Sequence, residues 1–246
     1  MKKSNIILKT QMISKSFGGL KAINQVSFQI EESEITGLIG PNGAGKTTLF
    51  NLITGFLKPD GGHIYFENYD ITALKPHKIC QLGIGRTFQV VKPLSTLTVL
   101  ENIVTGALLH RANYKEAREQ AINIAQKVGL ADKIYKIAGG IPIADKKRLG
   151  FAQALATNAK LLLLDEVVAG LNPAEVDKFL DIIRNIAAEG ITIIMVEHVM
   201  RAVMNVANRI LVLDHGKLIA QGSPREIAEN DEVIKAYLGD KYKLRN

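Results

Sequence analysis

The residues with the clearest chemical potential stand together at 40–48: Gly40, Pro41, Asn42, Gly43, Ala44, Gly45, Lys46, Thr47 and Thr48. They fit the phosphate-binding pattern G-x-x-x-x-G-K-[ST]. Glycine lets the backbone curl until successive N–H groups converge on phosphate oxygens, which a Cβ would obstruct. Lys46 can place a compact positive charge on the β- and γ-phosphates, and the Thr47 hydroxyl can coordinate Mg²⁺. A second group is Asp165 and Glu166, which end the apolar run 161–164. Asp165 is placed to hold Mg²⁺ through water, and Glu166 could polarise an attacking water. A strand-end carboxylate pair can also cap a helix, but behind a phosphate loop the chemical reading is the stronger. His198, just past the apolar run 191–196, would by itself more often be structural.

These groups need elements to carry them. Residues 35–39 read as a buried strand before the loop, and residues 47–53 as a helix whose positive N-terminus faces the anion. Upstream, residues 7–13 and 26–30 alternate as antiparallel strands flanking a loop at 14–20. Phe17 stands in that loop. An aromatic there can stack on a base, although taken alone a core phenylalanine is the commoner reading. Residues 58–62 form a turn and 63–67 a strand; residues 71–82 are expected to be a short helix and 83–90 a strand ending at Gln89. From about 91 to 160 no strand-like run occurs. Val99, Leu100, Ile103, Val104, Ala107 and Leu108 sit at helical spacing, and a second helix spans roughly 114–128.

The short apolar runs 161–164 and 191–196 read as buried strands. Between them Asn172 and Pro173 open a helix that Gly190 ends. Residues 209–213 and 217–220 form a hairpin about residues 214–216, and Ser223 to Glu226 is a capping box. The expected fold is α/β: a P-loop ATPase core, with a mixed sheet, helices on both faces and an antiparallel β part, and an inserted helical lobe. The single domain 1–246 divides into core segments 1–89 and 161–246 and a lobe at 90–160.

At 246 residues and 47% hydrophobic content the chain can bury a large core unaided. No apolar run approaches the length of a membrane span, and residues 1–9 hold too short a run for a secretory signal. The single cysteine, Cys80, forms no internal disulfide and suits a reducing cytosol. The formal net charge of +7 is dispersed, with small clusters at Lys2 and Lys3, at Lys146, Lys147 and Arg148, and at 241–245. A solvated surface is the first reading of these, proximity to an anionic membrane the second and nucleic acid the third; no nucleic-acid partner is expected.

In order along the chain, residues 40–48, Gln89, residues 164–166 and Glu197-His198 resemble the ABC-transporter ATPases over essentially the whole length. The resemblance implies ATP and Mg²⁺ as ligands and assigns several roles. Phe17 matches the aromatic that stacks on adenine. Gln89 matches the glutamine that senses Mg²⁺ and the γ-phosphate and links core to lobe. Glu166 matches the catalytic base and His198 the switch histidine. Residues 169–172 match the loop that crosses to a second ATPase subunit, with Asn172 in place of the usual Asp. Residues 85–89, 97–102, 169–173 and 236–239 look like the branched-chain amino-acid importers, in the G-type rather than the F-type of their two ATPase subunits. Lipopolysaccharide-export ATPases share some of these features. The implied partners are integral-membrane permease subunits, a second ATPase subunit and, indirectly, an extracytoplasmic solute-binding protein. The implied location is the cytoplasmic face of the cell membrane.

One departure is notable. The family signature, Leu-Ser-Gly-Gly-Gln or a near variant, falls on residues 141–145, where Pro142 has neither the hydroxyl nor the N–H of the expected serine. Asp145 reads as the cap of the next helix, and its charge as unfavourable to an arriving γ-phosphate. Gln153 and Val167 replace the usual arginine and proline. The degenerate signature favours a heteromeric pair with an F-type subunit over a homodimer. The resemblance thus implies the ATP-hydrolysing motor subunit of an importer, and three further readings compete: the ATPase subunit of a lipid or lipopolysaccharide exporter, a soluble ABC-type ATPase acting on ribosomes or DNA, and a nucleotide-gated subunit with little turnover.

Overall fold

The structure, a computed structural model, describes residues 5–238. Lys2 and Lys3, the cluster at 241–245, Gly239 and the first four residues of the 1–9 stretch lie outside them. The chain begins with a hairpin of β1 (Ile6–Phe17) and β2 (Leu20–Glu31), then β3 (Ile35–Ile39) and α1 (Lys46–Ile53). There follow β4 (Gly61–Phe66), β5 (Tyr69–Asp70), α2 (Pro76–Leu82) and β6 (Ile84–Arg86). Three helices come next: α3 (Val99–Ala107), α4 (Tyr114–Lys127) and α5 (Ile143–Ala156). The chain then returns through β7 (Leu161–Asp165), α6 (Pro173–Ala188), β8 (Thr192–Val196) and α7 (Met200–Val206). It closes with β9 (Arg209–Asp214), β10 (Lys217–Gly222), α8 (Pro224–Ala228) and α9 (Asp231–Leu238).

The strands form a four-stranded antiparallel sheet, β2-β1-β4-β5, and a six-stranded sheet, β10-β9-β3-β8-β7-β6. In the larger sheet β9, β3, β8, β7 and β6 are parallel and β10 is antiparallel to β9. Its central strands β3, β7 and β8 are buried at every residue, as their continuous apolar runs require. The pleat divides β7 between two cores. Leu161 and Leu163 pack with Phe50 of α1 and Phe28 of β2, between the two sheets. Leu162 and Leu164 face the opposite layer, with Phe151 of α5 and Phe179 of α6, whose rings lie 5.7 Å apart.

Several boundaries differ from the sequence expectation. The first hairpin is longer: residues 14–17 and 20–25 pair through main-chain bonds that do not depend on apolar side chains, and only Gly18 and Gly19 turn. Phe17 is therefore at a strand end, and it is 48% exposed rather than a core residue. The helix expected from 71 begins at Pro76, because proline occupies its first turn and residues 71–74 form a separate hydrogen-bonded turn. β6 ends at Arg86: the Thr87 hydroxyl accepts the Asp165 N–H (3.0 Å), after which the chain leaves the sheet. Gln89 thus follows the strand instead of ending it. Between 91 and 160 the helices are joined by one isolated antiparallel bridge, Thr98 to Ile137. Among the described residues no helix is long and apolar enough to cross a membrane.

Candidate functional site

Parallel neighbours in a sheet bring their following loops to one edge. β3 leads to residues 40–48, β7 ends at Asp165, β8 leads to His198, and β6 leads toward Gln89. Four segments distant in sequence thereby meet at the carboxyl end of the sheet. A cleft of about 700 Å³ lies there, lined by Phe17, residues 42–48, Glu166 and His198.

The phosphate loop owes its shape to two glycines in particular. Gly45 has φ +107°, and a Cβ on it would stand 2.5 Å from the Ala22 carbonyl oxygen. A Cβ on Gly40 would stand 2.1 Å from the Leu213 oxygen. Lys46 opens α1 and folds back, its ammonium donating to the carbonyls of Gly40 (2.7 Å) and Pro41 (2.9 Å). Burial lowers its pKa, against the attraction of Glu166 and Asp165. Thr47 is exposed at the mouth of the loop and Thr48 half-buried.

Glu166 is held from several sides. Its φ of +52° is a left-handed conformation that costs a non-glycine residue energy. Its N–H donates to the Val196 carbonyl (2.9 Å), and its own carbonyl accepts from Lys147 Nζ (2.8 Å) and the Ala169 N–H (3.3 Å). The carboxylate is fixed at both oxygens: Gln89 Nε2 donates to Oε2 (2.7 Å) and His198 Nε2 to Oε1 (2.9 Å). Gln89, Glu166 and His198 are therefore one hydrogen-bonded unit. Asp165, immediately before them, is buried and paired with Arg86 (2.9 Å). Among the described residues no cluster of three or more carboxylate, histidine or cysteine side chains could enclose a metal alone. A magnesium ion taken through Asp165, Thr47 and substrate phosphates would need no such cage.

Three engaged residues carried no role in the sequence reading. Lys147, placed there in a solvated cluster, is 7% exposed and reaches from α5 to Glu166. Burial lowers its pKa, opposed by Glu197 and Glu166. Glu197 is 2% exposed and accepts the Val168 N–H (2.8 Å). Arg86 pairs with Asp165 across two strands. Lysine and arginine in a basic run give no sign of burial, since only the fold decides which one faces inward.

Residues 141–145 open α5, and the Asp145 expectation requires correction. Pro142 occupies the cap position, with no side-chain hydrogen bond, and Asp145 is inside the first turn. Asp145 is 3% exposed and bonded to Lys133 (2.7 Å) and Arg148 (3.4 Å), so its charge is neutralised internally rather than presented to a phosphate. Asn172 caps α6 in a capping box with Glu175.

A family model described as ABC transporter matches residues 23–169, and one described as branched-chain amino acid ATP-binding cassette transporter matches residues 217–243. The chain is 37% identical to the high-affinity branched-chain amino acid transport ATP-binding protein BraF of Pseudomonas aeruginosa, covering 96% of this chain and 99% of the relative. It is 38% identical to LivG of Salmonella typhimurium, with the same coverage. Among solved structures, a nucleotide-free ATP-binding cassette from an ABC transporter superposes with TM-score 0.87 at 33% identity, covering 96% of this chain and 100% of the other. An ATP-binding cassette in its ADP conformation gives 0.86 at 34% identity, with 96% and 99% covered.

Proposed function

The chain belongs to the ABC transporter family as the ATP-hydrolysing motor subunit of an importer with membrane permease partners, and from that membership we propose that its cargo is a branched-chain amino acid or a related small solute. Its relatives BraF and LivG carry that cargo in their names. It works at the cytoplasmic face of the membrane, and residues 90–160 act as a helical lobe within a single domain 1–246.

The reaction assigned to the cleft is hydrolysis of ATP. Main-chain N–H groups within residues 42–48, which line the cleft, bind the phosphates, and Lys46 leaves the Gly40 and Pro41 carbonyls to meet them. Phe17 stacks on the base at the exposed end of β1. Thr47, Asp165 and Gln89 would hold Mg²⁺, which supplies charge neutralisation on the β- and γ-phosphates. Glu166 takes a proton from the attacking water while His198 and Gln89 keep its carboxylate aimed. The observation that carries this reading is the double anchoring of Glu166 beside the phosphate loop.

Glu166→Gln preserves the size of the side chain and removes the base, so the assembled transporter should bind ATP normally and turn over at least about a hundredfold more slowly. Hydrolysis at the wild-type rate would refute the assignment.

A heteromeric ATPase pair is favoured by α5. Its cap residue, Pro142, offers an arriving phosphate neither a hydroxyl nor an N–H, although Asp145 adds no repulsion because Lys133 and Arg148 neutralise it. The site built on Lys46 and Glu166 is then completed by a second subunit with an intact signature. A solute-binding protein outside the membrane delivers the cargo to the permease.

A further inference from the structure

Arg86 has no part in the scheme above, yet its guanidinium joins two halves of the site. One terminal nitrogen donates to Asn51 Oδ1 (2.6 Å) of α1 and to Thr54 Oγ1 (3.3 Å) at its C-cap. The other donates to Asp165 Oδ2 (2.9 Å) at the end of β7, and both side chains of that ion pair are 7% exposed. The rings of Phe50, Phe56 and Phe88 surround the cation, with centroids 5.6, 5.9 and 5.2 Å from its central carbon. Such a cage excludes water and restricts the plane of the fork.

We propose that Arg86 is a positioning residue that sets the separation between Thr47, at the start of α1, and the Asp165 carboxylate by clamping α1 to the end of β7. The inference rests on the reading that Mg²⁺ is held between those two groups. Magnesium requires near-ideal octahedral geometry, so two ligands on separate elements must be kept at one distance. A partner behind a ligating carboxylate commonly controls metal affinity. A buried ion pair by itself is weak evidence of stabilisation, whereas the geometry of this one bridges α1 and β7. Lysine would keep the charge but lose the planar fork that reaches both elements at once.

The test uses the full-length protein, a fluorescent non-hydrolysable ATP analogue, EDTA or graded Mg²⁺, and thermal denaturation to confirm folding. Wild type and Asp165→Asn examine the underlying reading: if Mg²⁺ does not tighten wild-type binding, or Asp165→Asn leaves the tightening intact, the metal assignment itself fails. Where that assignment holds, Arg86→Lys should keep its affinity in EDTA within about twofold of wild type and raise the Mg²⁺ needed for half-maximal tightening about tenfold. Asn51→Ala, which loosens only the α1 side and serves if Arg86→Lys does not fold, should raise it about threefold. Unchanged Mg²⁺ dependence in Asn51→Ala, or equal loss of affinity with and without Mg²⁺ in Arg86→Lys, would overturn the clamp.

Discussion

Glu197 should make the stability of this protein fall as pH rises through the weakly acidic range. The side chain is 2% exposed, and Oε2 is buried without a hydrogen-bond partner among the described residues. Burial pushes its pKa from 4.5 to about 7. The Val168 N–H and Lys147 oppose that rise, while Glu166 and Asp165 reinforce it. Between those two values the folded chain keeps a proton that the unfolded chain releases. Stability is therefore highest below the unfolded value and declines toward pH 7, by about 3 kcal/mol in all. Glu197→Gln removes the titrating group and retains an oxygen for the Val168 N–H. Urea denaturation of both proteins, from about pH 5 to about pH 8, gives the difference in unfolding free energy at each pH. That difference should move against the wild type by about 2 to 3 kcal/mol across the series. A difference that stays flat would refute the reasoning, because the buried carboxyl would then titrate alike in both states.

Lys46→Ala removes the ammonium that meets the phosphates, and equilibrium dialysis with ATP should show affinity lowered about ten- to hundredfold. Polar substitutions at Val90 and Leu94, exposed apolar side chains just after Gln89, should depress solute uptake in vesicles more than ATP turnover if this surface couples the ATPase to the permease. Equal loss of both activities would place them in the hydrolytic machinery instead. In a transporter assembled with an F-type subunit, Glu166→Gln in this chain should abolish more turnover than the matching change in the partner. The isolated chain should hydrolyse ATP slowly, and equal losses or brisk hydrolysis alone would count against an asymmetric pair.

The legible part of the molecule was the part governed by short-range rules. The phosphate loop follows from glycine geometry and a lysine at fixed spacing, and the buried strands β3, β7 and β8 from unbroken apolar runs. The caps of α6 and α8 follow from Asn172 with Pro173 and Ser223 with Glu226. Element ends were less legible. Residues 14–17 pair by main-chain bonds that polar side chains do not advertise, and β6 stops where the Thr87 hydroxyl captures the Asp165 N–H.

Tertiary structure alone decided which charges face inward. From sequence, Asp145 reads as a cap whose charge opposes an arriving phosphate, and Lys147 as one of three cations in a solvated cluster. Once α5 folds, Asp145 lies between Lys133 and Arg148, and Lys147 reaches the main chain of Glu166. The same holds for Arg86, whose partners are 35 and 79 residues away. Periodicity can show that a helix has a buried face. Which distant carboxylate or carbonyl awaits a buried cation depends on how separate elements pack, because the cost of burying a charge is offset only by partners that the sheet and its helices bring together.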